Sequence, residues 1–424
     1  MSGCEWLRPA VPLSRNEMTA PQLVILADDL TGAADTGGSF AGAGLVTAVP
    51  LGDAATPAVD VLSLSSESRD IDDQEVPNRV QATLKQAISD GHPDRWYKKI
   101  DSALRGYPGL EIALTIESQG FTSAIIAPAL PSEGRVTIEG RIYVHGLLLH
   151  TTTLGKGLSS SFVIEQLRRH TDAKIVWIGL DSVRRGAASL LETITATGQA
   201  LIVIDAISDQ ELLTIAEAAT HLPNVLLAGS AGFAAALMQV LPLQSQAPKP
   251  PPPSVTGQPV LTIAGSRHES TVRQINHAAH AGMTVIRPEQ IDHSWTPGEI
   301  ASLRENATRS LADGNDTILT LTGCPRSIVP GCQLAAQLAE VAAEPCLQGL
   351  VGGLVLTGGD VAAAVCGRLG ADFLWLRGEV LPAIPWATLG TGPLENMPIV
   401  TKAGSFGAAS AFTDSVSFLR TLAG

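Results

Sequence analysis

The 424-residue chain is short of several things at once. Aromatic residues make up only 4% of it, and none of its apolar runs reaches the 18 or so residues that a membrane-spanning helix requires. Its five cysteines (Cys4, Cys324, Cys332, Cys346, Cys366) form no CxxC pair, which excludes the common zinc spacings and a disulfide framework and reads as reduced thiols in a cytoplasmic protein. Lysine and arginine number 28 against 41 acidic residues, a net charge of −13 with no basic run, so no nucleic-acid-binding surface is expected. There is no GxxxxGK[ST], no GxGxxG after a strand-like run, no HExxH and no GxSxG. The P-loop, dinucleotide, zinc-hydrolase and serine-hydrolase readings therefore fall away.

What is abundant is small and apolar: 41 glycines and 45% hydrophobic residues, a composition suited to helices packed closely on a parallel sheet. Short apolar runs alternate with Gly- or Ser-rich turns and alanine-rich amphipathic stretches, the pattern of repeated βαβ units. The expected strands are Leu23 to Ala27, Val59 to Leu64, Ala124 to Ala127, Ile175 to Ile178, Leu201 to Ile204 and Val225 to Leu227. After them come Val260 to Ala264, Thr284 to Ile286, Thr317 to Leu321, Leu354 to Thr357, Phe373 to Leu376 and Ile399 to Thr401. Pro242, Pro248 and Pro250 to Pro253 mark a stiff connector. The fold class is α/β, with two domains, each an open, mostly parallel sheet flanked by helices, and an active site in the cleft between them. Residues 1–20 read as a disordered leader with Met18 as an alternative start, 21–242 as a first domain, 243–257 as a linker and 258–424 as a second domain.

Ligands of parallel sheets lie outside the carboxyl ends of the strands, and LVILADDLTG places Asp28 and Asp29 there. Capping of the next helix is the bland alternative for one of them. Other strand ends carry SESR with Arg69, then KKIDSALRG with Lys99, Asp101, Ser102 and Arg105, then PALPSEGR. Arg and Lys supply donors for a carboxylate, and Asp and Ser supply partners for hydroxyls, as a small acid sugar requires. Arg69 alone reads as a surface arginine and Lys98 as the solvated member of the Lys98-Lys99 pair. His145 and His150 lack metal-site spacing and read as structural or cleft-lining. In the second half three glycine turns, AGSRHE with Ser266, TGGD with Gly358, Gly359 and Asp360, and KAGSFG with Gly404, Ser405 and Gly407, are expected to open helices and to form one phosphate site.

LADDLTGAADTG, KKIDSALRGYPG, GSAGF at 229–233, TGGD and KAGSFG, in this order around a Pro-rich join, resemble the four-carbon acid sugar kinase family of D-threonate, D-erythronate and 3-oxo-tetronate kinases. The resemblance implies transfer of a phosphoryl group from ATP to the terminal hydroxyl of a four-carbon sugar acid. It places the acid on Asp28, Arg69 and the Lys99 to Ser102 segment, with Arg105 close by, and the nucleotide on Ser266, Gly358, Gly359, Asp360 and Gly404. Mg²⁺ is expected to bridge the phosphates, Asp101 to act as base with Asp28 as the second choice, and Asp360 to face the metal or the ribose. A homodimer is a further expectation, and a dehydrogenase acting on the same acids and a non-catalytic sensor are the rival readings. The chain departs from the family pattern at Arg267 and His268, at TTTLGKGLSSS after His150, and at Asp360, where Glu is common.

Overall fold

The computed structural model describes residues 20–52, 56–89, 91–324 and 329–422. The expected leader, Ala20 excepted, lies outside the described residues, as does Cys4.

Strands LVILA (Leu23–Ala27), VLTIA (Val260–Ala264) and GLVLT (Gly353–Thr357) are buried along their whole length, because helices cover both faces of a parallel sheet and leave no polar side to write into the sequence. Among the described residues, fifteen strands join in a single sheet. From one edge the order begins Thr284–Ile286, Thr317–Thr320, Val260–Ala264, Gly353–Thr357, Pro398–Lys402, Ile384–Leu389 and Phe373–Leu381. It continues with Thr47–Pro50, Val61–Ser65, Leu23–Ala27, Arg95–Lys99, Val225–Gly229, Ser123–Ala127, Leu201–Ile204 and Ile175–Ile178. A small antiparallel sheet, Arg135–Ile138, Arg141–Val144 and Leu147–Leu148, stands apart.

Each half is an open and mostly parallel sheet, as the sequence suggests, but the two sheets are not separate. The hairpin Phe373–Leu381 and Ile384–Leu389 runs antiparallel to its neighbours, and its first strand pairs Phe373 with Pro50 through Leu376 with Thr47. Helix Leu30–Gly42 of the first half lies over this seam. A Cβ on Gly37 would stand 2.5 Å from Leu376 Cδ1, and one on Gly38 would stand 2.9 Å from Pro385 Cβ, so only glycine permits the approach. Ala33 and Ala34 share one apolar core with Leu374, Leu376 and Leu389.

The Pro-rich segment carries no regular element but is strapped down. Asp60 accepts from the backbone N–H of Gln246 at 2.8 Å and of Ala247 at 3.0 Å, and Arg377 donates to the carbonyl of Pro251.

Two expectations need correction. Lys98 is not solvated: it is fully buried on strand Arg95–Lys99 and its Nζ lies 2.8 Å from Glu111 Oε2. KAGSFG does not open a helix directly, since the next helix begins only at Ala411, whereas the other two turns lead at once into helices Glu269–His280 and Gly359–Arg368.

Candidate active site

The first strand ends at Ala27, and the chain turns into its helix through the two aspartates. Asp29 caps that helix by accepting from Gly32 N at 2.8 Å, which meets the bland expectation for this residue. Its other carboxylate oxygen accepts from Arg69 Nη1. Asp28 is held by the same guanidinium in a two-pronged pair, Nε to Oδ2 at 2.7 Å and Nη2 to Oδ1 at 2.8 Å. Arg69 is thus a half-buried clamp on the cavity wall rather than a surface arginine. The opposing forces shift the two acids in opposite directions. Burial pushes both up. For Asp28 the attraction of Arg69, helped by Lys98 and Lys99, prevails and holds the carboxyl below the ordinary range. For Asp29 burial, reinforced by the charge of Asp28, prevails and raises it.

Asp101 opens the turn after strand Arg95–Lys99. It accepts from Ala103 N at 3.0 Å, from Arg105 Nε at 3.1 Å and from Arg105 Nη2 at 2.7 Å, with Arg69 Nη2 3.9 Å away. Although burial opposes ionisation, Arg105 and Arg69 hold Asp101 well below the usual carboxylate range. Left-handed Gly106 (φ 75°) follows, where a Cβ would lie 3.3 Å from Arg69 Cα. Lys99 is buried next to the helix start: a Cβ on Gly32 would meet Asp29 Oδ1 at 2.7 Å and Lys99 Nζ at 3.1 Å.

A cavity of ≈ 830 Å³ brings the two halves face to face. Its first-half wall includes Asp28, Asp29, Thr31, Glu67, Arg69 and Arg105. Its second-half wall includes Ser266, Gly358, Gly359, Asp360, Gly404 and Ser405. The walls nearly touch at one point, where a Cβ on Gly359 would lie 3.3 Å from Thr31 Oγ1 and 3.8 Å from Asp29 Oδ2. Lys99, Asp101, Ser102 and Gly407 are not among the lining residues, nor are His145 and His150, His150 Nδ1 lying 2.8 Å from Ser161 Oγ.

The second-half wall combines glycine turns and helix starts with the side chains of Ser266, Arg267, His268 and Asp360. Helix Gly359–Arg368 starts at Gly358 (φ 102°) and helix Gly331–Leu347 starts at Pro330, neither with a side-chain cap, so their first N–H groups are left for an anion. Gly404 is packed so tightly on the neighbouring turn that a Cβ there would fall 2.0 Å from Ser266 Oγ, and Thr271 Oγ1 donates to its carbonyl at 2.8 Å. The helix starting at Gly331 escaped sequence reasoning. PGC is an inconspicuous signal, although Pro just before a glycine-led alanine-rich run is a legitimate helix start. Glu67, in left-handed backbone (φ 47°), belongs to the SESR turn expected at this strand end but carries no role in the sequence reading, and it lines the cavity. Burial raises its pKa, and Asp29 and Asp360 add to the rise.

The halves coincide with two family descriptions: a sugar-binding N-terminal domain matches residues 23–237 and a nucleotide-binding C-terminal domain matches residues 261–412. A D-threonate kinase of Salmonella typhimurium is 33% identical over 95% of this chain and 99% of its own. A D-erythronate kinase of Heliobacterium modesticaldum is 29% identical over 94% and 97%, and a 3-oxo-tetronate kinase of Cupriavidus necator is 27% identical over 95% and 98%. Solved structures from Salmonella typhimurium LT2 (TM-score 0.75, 18% identity, 92% of this chain and 98% of that one) and Haemophilus influenzae (TM-score 0.68, 19% identity, 93% and 100%) share the fold. The chain belongs to the four-carbon acid sugar kinase family.

Proposed function

We propose that this chain is a cytoplasmic kinase that transfers the γ-phosphoryl group of ATP to the terminal hydroxyl of a four-carbon sugar acid, with D-threonate as the acid. The observation that carries the reading is the cavity itself, in which a wall of paired charges faces a wall of bare helix N-termini across Gly359 and Thr31. The first suits a small hydroxy acid and the second a chain of phosphates.

In this reading Arg105 and Arg69 receive the acid's carboxylate, with Lys99 supplying positive charge from off the wall. The helices starting at Gly331 and Gly359 take the phosphates, and the turns at Ser266 and Gly404 take the rest of the nucleotide. Phosphoryl transfer depends chiefly on alignment and charge neutralisation. A base at the hydroxyl adds about 10²–10⁴-fold. Asp101 is poorly suited to that task, because it is not among the residues lining the cavity and Arg105 and Arg69 depress its proton affinity. Asp29 lines the cavity and has its proton affinity raised by burial, so the base is assigned to Asp29, and Asp101 becomes the anchor that holds Arg105.

Mg²⁺ keeps several waters and needs one or two carboxylates beside the phosphates. The residues fit this demand. Glu67 and Asp360 both line the cavity, and the charge of Asp360 adds to the burial that raises Glu67, a repulsion that a cation beside them would relieve. Glu67 and Asp360 would hold the ion, which supplies charge neutralisation at the phosphates.

The test is ADP release measured over D-threonate, D-erythronate and 3-oxo-tetronate. Turnover is expected on D-threonate above the others. ADP release with none of them would overturn the kinase reading, and preference for another acid would overturn the choice of substrate.

A further inference from the structure

Arg135 opens the strand Arg135–Ile138 immediately after the left-handed Gly134 (φ 63°), and two backbone hydrogen bonds to Leu130, at 2.8 and 3.1 Å, fix where it starts. Its side chain points into the molecule, with the residue only 2% exposed. There the guanidinium forks. Nη1 donates to Ser102 Oγ at 2.6 Å and Nη2 donates to Ser405 Oγ at 3.2 Å. These hydroxyls belong to opposite halves: Ser102 is in the KKIDS segment of the first, and Ser405 is on the cavity wall in the KAGSFG turn of the second. The neighbouring Phe406 ring lies 5.1 Å from the guanidinium carbon.

This placement is costly for a structural arginine. Both side-chain partners are neutral hydroxyls, and the buried Nε–H has no acceptor. A buried cation left without full compensation is expensive. Burial accordingly drags the Arg135 pKa down against the attraction of Asp101. An apolar residue would hold this corner of the small sheet more cheaply, whereas the planar fork is suited to holding two oxygens at a fixed separation.

We infer that Arg135 is a positioning residue that sets the acid-holding segment and the nucleotide-holding turn in register, through one guanidinium bonded to Ser102 and Ser405. The inference rests on the assignment of the two walls made above. It predicts that a change on one wall is felt on the other only while Arg135 is present.

The probe is ADP, titrated calorimetrically into the full-length chain, with no acid needed. Ser102→Ala, although it lies in the first half, is expected to weaken ADP binding by about 3- to 30-fold, which falls inside the range of coupling between residues in one hydrogen-bonded network. In the Arg135→Ala background the same Ser102→Ala change is expected to alter ADP affinity by less than about twofold. Arg135→Lys keeps the charge and loses the fork, so it is expected to restore the melting temperature without restoring the cross effect, which also covers the case in which Arg135→Ala fails to fold. A full-strength Ser102→Ala effect in either Arg135 variant, or no effect in the otherwise native chain, would overturn the inference. Turnover on the panel of acids judges the kinase reading separately, because the titration reads only the nucleotide.

Discussion

On the first-half wall of the cavity the proposed recognition rests on side chains, with Asp28, Asp29, Arg69 and Arg105 knitted, together with Asp101 off the wall, into one ion-pair network. On the opposite wall the proposed phosphate site rests chiefly on backbone, at glycine turns and uncapped helix starts. Side-chain charges can be arranged to fit one pattern of hydroxyls and a carboxylate, which a specific acid demands. Backbone N–H groups offer the same donors to any phosphate chain and tolerate no added bulk. The first wall should therefore be sensitive to changes of charge, and the second to the smallest increase in size.

The widest gap between the walls is expected from Asp29→Asn. Asn caps a helix as well as Asp, so the fold is kept while the base is lost, and kcat should fall by about 10²–10⁴-fold with ADP affinity unchanged by calorimetry. Equal losses in both would erase the distinction between the walls. Next is the support behind the charged wall. Lys98→Met leaves Glu111 buried without its 2.8 Å partner and should lower unfolding free energy in denaturant by about 3–5 kcal/mol, much of it regained on adding Glu111→Leu. Gly404→Ala tests the backbone wall: its Cβ would fall 2.0 Å from Ser266 Oγ. Overpacking of this kind costs about 1–3 kcal/mol, read as ADP binding weakened about 5- to 150-fold with acid binding unaltered.

The smallest effect concerns Asp35, whose carboxyl is pushed up to about 7 by burial and has Oδ1 without a partner. Between its ordinary value of 3.8 and about 7 the folded protein keeps a proton that the unfolded chain has released. This contribution to stability is therefore full below the lower value and is lost as pH rises through the upper one. Asp35→Asn should flatten that decline, seen as a melting temperature a few degrees higher, roughly, at pH 8 and little changed near pH 4. A variant with the same slope as the parent would remove Asp35 from the account.

Much of the sheet was legible because parallel strands buried on both faces are local apolar runs. Leu23–Ala27, Ile175–Ile178, Leu201–Ile204 and Val260–Ala264 have the same bounds in sequence and structure. The strand RWYKK was not legible, since nothing local says that Lys98 will find Glu111 inside. The seam was hidden for a different reason: Thr47–Pro50 is only four residues long, and its partner Phe373–Leu376 is more than 300 positions away. The motifs placed Asp28, Asp29, Arg69 and the glycine turns together, but they could not rank the carboxylates. That depends on which oxygens the arginines already occupy, a matter of three-dimensional competition. Arg135 shows the same limit, because a fork joining Ser102 to Ser405 is invisible until the chain is folded.

The ladder from Phe373 to Leu376 against Thr47 to Pro50, with the glycine-faced helix lying across it, makes the two lobes one slab rather than jaws on a hinge. Prising them apart would tear main-chain hydrogen bonds and expose a shared apolar interior. On the proposed reading, substrates come and go through the mouth of a gap whose width is set by the sheet.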